Sequence, residues 1–459
     1  DRVVYDDAMA QLFVSHDKFL ASSEQTDLEI LSSFTRTKSR AEVVQTVYEM
    51  IFSNIEGGMD DAGGFFRRKA YMLGQMLKMA LDVELGRRPP SDRDNMQFKR
   101  FTTSGVLCFE EFRRNYREIT ERMKLDMDSR IQYEAGNFAG KNLSQLLQPE
   151  NINRYWKHWV LLNGFVKSFK ASWGGKVGIG QILARPSYMA ALHHLRGSLL
   201  QIDRTISTAP PRRLFASQFG IMCPVDSPDG SDIGYKKSLT VFARISTAFP
   251  SATVKQIVRD TGLFRETADI HPATWNPVWT KVYLNSDFIG VVIGNTETFH
   301  TQMLAARRSG ALAESVSLSW MRINNEYKIF SDAGRPIRPV YREGVVADKV
   351  RAAGTWDDLR KCIDYVDASE SDSLLISITP FHPTCPSEIH MSFNFSAVAN
   401  LVPYSDHNPA TRSVFSIAQQ KQAASWYHTN YKKRFDTIAM MAVSPQKPLS
   451  QTWIYHEIM

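Results

Sequence analysis

The spacing of apolar residues changes along this chain from a helical period to a strand-like one, and that change restricts its fold class. Met72, Met76 and Met79 recur at the i, i+4 and i+7 positions that line one side of a helix. Between about 240 and 380 lie short runs rich in β-branched and aromatic residues: KSLTVFARI, VWTKVYLN, FIGVVIG, EYKIFSDAGRPIRPVY and SLLISITP. We therefore expect an α+β fold, with the methionine stripe packed in a core rather than displayed as a binding surface.

Chain length and turn residues divide the chain into several domains. Single cores stop growing near about 250 to 300 residues, and this chain has 459. The first helical region ends near residue 90, because Gly86 is followed by the prolines Pro89 and Pro90, which cannot continue a helix. Residues 331–334, between two apolar alternations, predict a hairpin turn in which Gly334 adopts a positive φ.

The composition is that of a folded protein with a small basic excess. Lysine and arginine number 55 against 48 aspartate and glutamate residues, and this excess is compatible with a nucleic-acid partner. No apolar run approaches the roughly 18 residues of a membrane span, so we expect no membrane partner. The four cysteines lie far apart without a CxxC pair, which favours a reducing intracellular compartment over a disulfide scaffold.

The segment 401–423, LVPYSDHNPATRSVFSIAQQKQA, predicts a helix with two unlike faces. Asn408 is a favourable N-cap, and Pro409 suits the first helical position, where a missing N–H costs nothing. We expect an apolar face to pack inward and a polar face to be displayed. The inward face gathers Val414, Ile417, Ala418 and Ala424, and the displayed face gathers Arg412, Phe415, Ser416, Gln419 and Gln422.

Arg412 is in a poor position for helix stability. It lies in the first turn, where unpaired N–H groups and the helix dipole favour an anion. A phosphate ligand would reverse this penalty, because a guanidinium offers forked donors that match phosphate oxygens. The alternative is a surface arginine paired with a carboxylate such as Asp406, and from the residues alone both interpretations stay open.

Two further motifs are weaker. The glycine-rich run 172–181, SWGGKVGIGQ, lacks the ending of a phosphate-binding loop and is interpreted as a flexible turn. His382, Cys385 and His390 form an H-x₂-C-x₄-H pattern with the residue types of a zinc site, but no fourth ligand is evident. We favour a turn with ordinary packing for this pattern.

Several segments, in the expected order, resemble the second-largest subunit of multi-subunit DNA-directed RNA polymerases in its archaeal and eukaryotic form. They include LGRRPPSDRDNMQFKRFTTSG (85–105), LARPSYMAALHHLRG (183–197), FGIMCPVDSPDGSDIGYKKSL (219–239), DHNPATRSVFSIAQQKQA (406–423) and TNYKKRFDTIAMMAVSPQKPL (429–449). The resemblance covers most of residues 70–459.

The resemblance implies a multi-domain α+β subunit fragment. Its regions would be a helical lobe-like region at 1–90, a protrusion-like segment at 91–135, a fork region at 136–240 with its fork loop near 203–213, a β-rich external domain at 241–380, and at 381–459 the return of the fork with the start of the hybrid-binding, active-centre region.

The same resemblance implies roles for individual residues. Arg412 corresponds to an arginine that contacts the phosphates of the incoming nucleoside triphosphate (NTP), Phe415 stands where the family has a tyrosine near the nucleotide, and Gln422 matches a glutamine of the same wall. Further residues are expected near the fork or the nucleic acid: Arg196, Asp203, Arg204, Arg212, Arg213, Asp229 and Lys421. No catalytic or metal-binding residue is expected on this chain, because the family holds its Mg²⁺ mainly on the largest subunit.

The sequence also departs from the family pattern. Asp226, Ser227 and Asp229 replace Glu-Thr-Glu, residues 409–411 replace Gln-Ser-Pro, and Gln419-Gln420 replaces Met-Gly. These changes suggest a divergent enzyme, with a viral source as one alternative. Because the sequence starts at Asp1 and stops shortly after the Pro-Gln-Lys-Pro-Leu segment, we expect the remainder of the subunit on another chain or outside this stretch.

The resemblance implies that this chain, inactive alone, helps form the active-centre cleft of a DNA-dependent RNA polymerase. The implied partners are the largest subunit, the chain carrying the rest of the second-largest subunit, template DNA, product RNA and NTPs. The alternatives are a non-catalytic nucleic-acid-binding scaffold with a polymerase-like fold, and a structural or assembly protein without nucleic acid. Nucleus, cytoplasm and virion are not distinguished by the sequence.

Overall fold

The computed structural model describes residues 51–52, 55, 62–133, 155–170, 172–173, 176–177, 180–200, 208–270, 276, 278–423 and 448–458. The chain divides into two compact units. Unit 1 comprises Asp1–Lys99, Leu214–Ile221 and Phe242–Phe393, and unit 2 comprises Arg100–Arg213, Met222–Val241 and Asn394–Met459. Asp203, Arg204 and Ala424 lie outside the described residues. The domain boundaries drawn from the sequence stay predictions.

The described residues form helices and strands in both units. The helices are α1 (Ala62–Glu84), α2 (Ser104–Tyr133), α3 (His158–Ser168), α4 (Tyr188–Arg196), α5 (Ser251–Asp260), α6 (Thr296–Ser309), α7 (Ala347–Arg351), α8 (Trp356–Arg360), α9 (Ala368–Ser373), α10 (Ala410–Gln422) and α11 (Tyr455–Ile458). The strands are β1 (Ser172–Trp173), β2 (Lys176–Val177), β3 (Gly197–Leu199), β4 (Lys236–Ser238), β5 (Arg244–Ile245), β6 (Phe264–Glu266), β7 (Thr280–Leu284), β8 (Asp287–Val292), β9 (Ser317–Met321), β10 (Glu326–Phe330), β11 (Pro336–Tyr341) and β12 (Ile363–Asp367). The predicted α+β class is confirmed.

A five-stranded mixed sheet forms the centre of unit 1. Its strand order is β6-β8-β7-β10-β9, and only the β7–β10 pair is parallel. Helix α5 places Val254 and Val258, four residues apart, in the core, and α6 adds Phe299 and Met303. Strand side chains such as Leu318 complete this core. The sheet is therefore covered by the apolar stripes of two amphipathic helices.

Four of the five strand-like runs form strands, and the fifth does not. VWTKVYLN and FIGVVIG contain β7 and β8, KSLTVFARI contains the ends of β4 and β5, and EYKIFSDAGRPIRPVY contains β10 and β11. In SLLISITP (373–380), only Ser377 makes a β-bridge, to Ser387. Leu375 and Ile378 are 81% and 67% exposed, so this apolar run does not form a buried strand.

The predicted hairpin at residues 331–334 is wrong, although Gly334 has the expected positive φ of 87°. β10 belongs to the five-stranded sheet, whereas β11 pairs with β12 and β5 in a separate three-stranded sheet. The backbone groups at the turn bind another segment: Gly334 N donates to Ser246 O, and Phe249 N donates to Ser331 O. These contacts replace the hairpin pairing that local sequence favours.

Helix α1 confirms the predicted helix near the start of the chain but not its methionine core. Met76 and Met79 are 46% and 36% exposed. Tyr71 packs instead against Tyr283 and Phe288 of the sheet, so a different side of α1 faces inward. The helix ends at Glu84, and Gly86 follows with a left-handed φ of 66°, in agreement with the predicted end.

The described residues of unit 2 include two helix pairs and two short strand pairs. α2 packs on α3, and α4 packs on α10. The glycine-rich run 172–181 contains the antiparallel pair β1–β2, so it is not only a turn. A small core joins Met189 of α4, Cys223, Val398 and Val402 to Ile417 of α10. This core supports α10, the helix that carries the main candidate residues.

The four cysteines are free thiols. In the part of the chain that the structure describes, no helix combines the length and apolar character needed to cross a membrane.

Candidate functional site

Helix α10 begins one residue later than the sequence predicts. Pro409 is the N-cap, and its carbonyl accepts hydrogen bonds from the N–H groups of Arg412 and Ser413, at 2.9 and 3.2 Å. The predicted Asn408 cap is wrong, because the Asn408 amide donates to the carbonyl of Tyr404 at 2.9 Å. This local bond diverts the side chain from the helix, as is common for asparagine in turns.

The two predicted faces of α10 are largely confirmed. Ile417 is 0% exposed and Val414 and Ala418 are half-buried on the inward side. The exposed side, which we call the displayed face, consists of Arg412, Phe415, Gln419 and Gln422. Two serines differ from the prediction, because Ser413 is buried and Ser416 is only half-buried.

Arg412 lies exposed in the first turn of α10. Among the described residues no carboxylate lies within ion-pair distance of its guanidinium. Asp406, the carboxylate that the sequence offered as an alternative partner, instead has its Oδ2 3.5 Å from Nε2 of His407. The first turn of α10 therefore presents a guanidinium beside unpaired N–H groups, an arrangement suited to an anion.

Lys421 is on the inward side of α10, unlike Arg412. Its side chain is 15% exposed, and Nζ lies 3.1 Å from Oδ1 of Asp226 and 3.2 Å from Nε2 of His193. Asp226 is 1% exposed. The ammonium group is thus held by this chain's own carboxylate, and its predicted proximity to nucleic acid stays a prediction.

The environment of Asp226 favours its ionised form. Burial alone would raise the pKa of this carboxyl, but the hydrogen bond and charge of His193, the charge of Lys421 and the hydrogen bond from Ser396 together hold the pKa well below its usual range. The Ser396 hydroxyl donates to Oδ2 at 2.6 Å. Asp226 is therefore an anion buried within unit 2 and matched by donors from several segments.

Sequence reasoning missed this buried pair. It noted Asp226 only as a departure from a family pattern and placed Lys421 with the residues near nucleic acid. One local signal was present, because Lys421 follows Ile417 by four residues and so shares its apolar side of the helix. A lysine at such a position needs an anionic partner. The identity of that partner has no local signal, since Asp226 lies 195 residues earlier.

The Arg212 side chain binds the backbone of the turn at residues 231–233. Its Nη1 donates to the carbonyls of Ser231 and Ile233, at 2.7 and 2.9 Å, and its guanidinium lies 3.8 Å from the ring centroid of Tyr235. Gly234 permits this approach with a positive φ of 76°. Arg212 is half-buried, so only part of its side chain can meet another molecule.

The other fork candidates have varied surroundings. Arg196, at the end of α4, donates from Nη2 to the carbonyl of Thr240, and burial lowers the pKa of its guanidinium. Arg213 and Asp229 are exposed. Asp203 and Arg204 lie outside the described residues.

The histidine and cysteine pattern does not form a three-residue cluster. Cys385 Sγ lies 3.0 Å from Nδ1 of His382, but Nδ1 of His390 contacts the hydroxyl of Ser392 at 2.8 Å. Throughout the described ranges, no group of three or more His, Cys, Asp or Glu side chains is arranged to hold a metal ion. The described residues therefore do not fit a resident metal.

Comparison with protein families identifies three separate regions of the chain. Residues 181–245 match the model for RNA polymerase Rpb2, domain 3, residues 282–342 match domain 4, and residues 398–459 match domain 6. The resemblance to the second-largest RNA polymerase subunit is confirmed. The three domains follow the order of their numbers, as the segments in the sequence suggested.

Individual polymerase subunits are similar over most of this chain. DNA-directed RNA polymerase II subunit RPB2 of Schizosaccharomyces pombe is 29% identical over 449 residues, covering 85% of this chain and 36% of the relative. Subunit Rpo2 of Sulfolobus acidocaldarius is 28% identical over 412 residues, covering 84% and 35%. DNA-directed RNA polymerase II subunit 2 of Arabidopsis thaliana is 29% identical over 416 residues, covering 84% and 34%. The chain thus spans about a third of the length of the curated relatives it matches.

The Rpb2 matches contain the candidate residues of unit 2. Arg412, Phe415, Lys421 and Gln422 fall in the domain 6 match, whereas His193 and Asp226 fall in the domain 3 match. The pair between Lys421 and Asp226 therefore joins the segment that matches domain 3 to the segment that matches domain 6, and the domain 4 match lies between them in sequence.

Proposed function

We propose that this chain is part of the second-largest subunit of a DNA-dependent RNA polymerase and that its displayed face contacts the incoming NTP in the active-centre cleft. The relatives are named as subunits of DNA-directed RNA polymerases, which supports the enzyme class. The position of Arg412, Phe415 and Gln422 within the domain 6 match supports the site. In this proposal the fork segment, including Arg212, Arg213 and Asp229, lies near DNA.

The observation that carries the proposal is the environment of Arg412. It is exposed, it has no carboxylate partner among the described residues, and it lies where the first turn of α10 already favours negative charge. Phe415 is 42% exposed on the same face, so an aromatic surface adjoins the cation. A guanidinium beside an aromatic ring provides groups that match the phosphates and the base or sugar of a nucleotide.

The chemistry explains what such an arginine would contribute. In nucleotidyl transfer the RNA 3′ hydroxyl attacks the α-phosphorus, and pyrophosphate leaves with increased negative charge. Arg412 would bind phosphate oxygens of the leaving group and stabilise that charge as it develops. In this proposal the Mg²⁺ ions of the reaction are held mainly by the largest subunit, as the resemblance implies, and Arg412 acts only on the phosphate oxygens.

The proposal requires several partners. This chain would work with the largest subunit, with the polypeptide that supplies the rest of the second-largest subunit, and with template DNA, product RNA and NTPs. It would act inside the cell, in a reducing compartment, where its four free cysteines stay reduced. A viral source for the enzyme stays a prediction.

The test is substitution of Arg412 in the assembled polymerase. Because one preorganised charge-stabilising contact is worth about a hundredfold to a thousandfold in rate, we expect Arg412→Ala to slow single-nucleotide addition by up to about that factor. Arg412→Lys should recover part of the rate, since it keeps the charge but loses the forked donors. The measurement is the rate of RNA extension on a defined template as the NTP concentration is varied.

The control is Arg351→Ala, because the Arg351 side chain is 81% exposed on α7 and, within the described ranges, its only ion pair is the i,i+3 contact with Asp348. This variant should extend RNA at the wild-type rate. Wild-type extension by Arg412→Ala would contradict the NTP contact. If the fully assembled wild-type complex bound nucleic acid in a salt-sensitive manner and made no RNA, the scaffold interpretation would replace the polymerase one.

A further inference from the structure

A buried polar cluster lies on the side of α10 opposite to Arg412. We call it the Asp226 cluster, and it consists of His193, Asp226, Ser238, Ser396 and Lys421. All five residues belong to unit 2. Their elements are α4, the 222–241 stretch with β4, the 394–401 stretch and α10.

The Asp226 carboxylate is the common partner of this cluster. Oδ1 lies 3.1 Å from both Lys421 Nζ and His193 Nε2, and Oδ2 accepts from Ser396 Oγ at 2.6 Å. His193 Nε2 also lies 2.8 Å from Ser238 Oγ. One carboxylate therefore connects three other segments of unit 2 to the helix that carries the displayed face.

Helix geometry relates the two sides of α10. Lys421 follows Arg412 by nine residues, and at about 100° per residue their side chains point in opposite directions. Ile417 supports the inward side within the small core, but an apolar contact tolerates small rotations and shifts of the helix. A charge-assisted hydrogen bond is directional and so fixes the rotation more strictly.

We propose that Asp226 is a positioning residue for nucleotide binding, which sets the rotation of α10 by holding the ammonium group of Lys421. The inference rests on the proposed function of the displayed face. Asp226 does not touch the nucleotide, and its effect reaches the substrate through Lys421, the helix and Arg412. His193 and Ser396 help orient the carboxylate, because they contact Oδ1 and Oδ2 respectively.

The physical basis is the cost of a buried charge without a partner. If Asp226 becomes neutral, the Lys421 ammonium remains in a site that is only 15% exposed and must move toward water. That movement turns or shifts α10 and carries Arg412 away from the phosphates. Displacement of a binding group by about 1 Å costs up to about a hundredfold in an enzymatic reaction, so a small rotation is sufficient.

The experiment compares variants in the assembled polymerase by single-nucleotide addition. We expect Asp226→Asn to raise the KM for NTP by about tenfold with a smaller change in kcat, because the contact with the substrate is misplaced rather than removed. Asp226→Glu, which keeps the charge, should restore part of the affinity. The control is Asp348→Asn, whose carboxylate is 92% exposed on α7 and which should keep the wild-type KM.

A second variant covers failure of Asp226→Asn to fold or assemble. The double variant Asp226→Asn, Lys421→Met removes the buried cation together with its partner, so it should assemble. It should still show a raised KM, because the directional bond is absent. The effect of Lys421→Met on KM should be smaller in the Asp226→Asn background than in the wild type, as expected for residues that act as a pair.

Two outcomes would overturn the inference. One is a wild-type KM in both the Asp226→Asn and the double variant, and the other is a loss of thermal stability with no change in KM or kcat per assembled complex. Failure of the proposed function gives a different result, because then Arg412→Ala would also extend RNA normally. An impaired Arg412→Ala together with a normal Asp226→Asn would refute the positioning role alone.

Discussion

Gly230 and Gly234 have the same backbone conformation in different surroundings. Both have a φ of 76°. A Cβ at Gly234 would lie 2.5 Å from the carbonyl oxygen of Arg212, whereas a Cβ at Gly230 would meet no atom within 4 Å. Gly234 therefore permits the close approach through which Arg212 binds the turn. Gly230 is needed only for its positive φ, because no neighbouring atom would contact a side chain there.

Substitutions at these two glycines separate the cost of backbone strain at positive φ from the cost of a steric clash. We expect Gly230→Ala to lower the free energy of unfolding by about 1 kcal/mol, because alanine is strained in the left-handed region. Gly234→Ala should cost about 2 kcal/mol more, because it adds a clash with backbone to the same strain. Chemical denaturation of the purified chain measures both. If both variants lost the same free energy of unfolding, the Arg212 backbone would move away from the added methyl group without an energetic cost.

At the scale of elements, the α2–α3 pair depends on one close crossing. Gly164 of α3 faces Asn115 of α2, which is 4% exposed and donates from Nδ2 to the carbonyl of Glu111. A Cβ at Gly164 would lie 2.0 Å from Oδ1 of Asn115. Two tilted rings pack beside the crossing, with the Phe112 and Phe165 centroids 6.3 Å apart. The small residue thus sets the distance between the two helices.

We expect Gly164→Ala to destabilise the chain by about 1 to 2 kcal/mol even though alanine favours helix, because Asn115 must leave its buried position. The matched control is Gly74→Ala in α1, where a Cβ would meet nothing within 4 Å. That change should stabilise the chain by up to about 1 kcal/mol. The two substitutions should change the free energy of unfolding in opposite directions, measured by thermal or chemical unfolding. A stabilising effect of Gly164→Ala would contradict the close contact between Gly164 and Asn115.

Elements could be predicted from the sequence where their signal is local. The period of α10 gave its two faces, and Gly86 marked the end of α1. Elements could not be predicted where residues distant in sequence determine the backbone pairing. The turn at 331–334 has hairpin chemistry, but Ser246 and Phe249 bind its backbone, so β10 and β11 enter different sheets. For the site, the exposure of Arg412 followed from helix register, whereas the partner of Lys421 did not.

At the scale of the whole molecule, a half-buried histidine makes stability depend on pH. His300 of α6 contacts the hydroxyl of Tyr327 through Nδ1 at 2.9 Å. Burial, together with the charges of Arg307, Arg322 and Arg308, lowers the pKa of His300 from 6.5 to about 4. The folded state therefore keeps this ring neutral at pH values where the unfolded chain binds a proton.

We expect the free energy of unfolding to fall by about 1 to 2 kcal/mol between pH 7 and pH 5 through His300 alone. The sign follows from the lowered pKa, since stability is complete above about pH 6.5 and is lost as the pH falls toward 4. His300→Gln should remove this part of the pH dependence. His407→Gln, at a ring 70% exposed, should leave it unchanged. An unaltered pH profile in His300→Gln would contradict the assignment.

The discontinuous composition of unit 2 has a consequence for biosynthesis. Asp226 leaves the ribosome 195 residues before Lys421, and the Phe242–Phe393 segment of unit 1 is translated between them. Until the last stretch emerges, the carboxylate lacks its ammonium counter-ion, and so unit 2 is unable to bury it at low cost. Unit 2 therefore completes the core that contains Ile417 only after α10 has been translated, and before that point a chaperone or partner polypeptide is able to contact the apolar residues of that core.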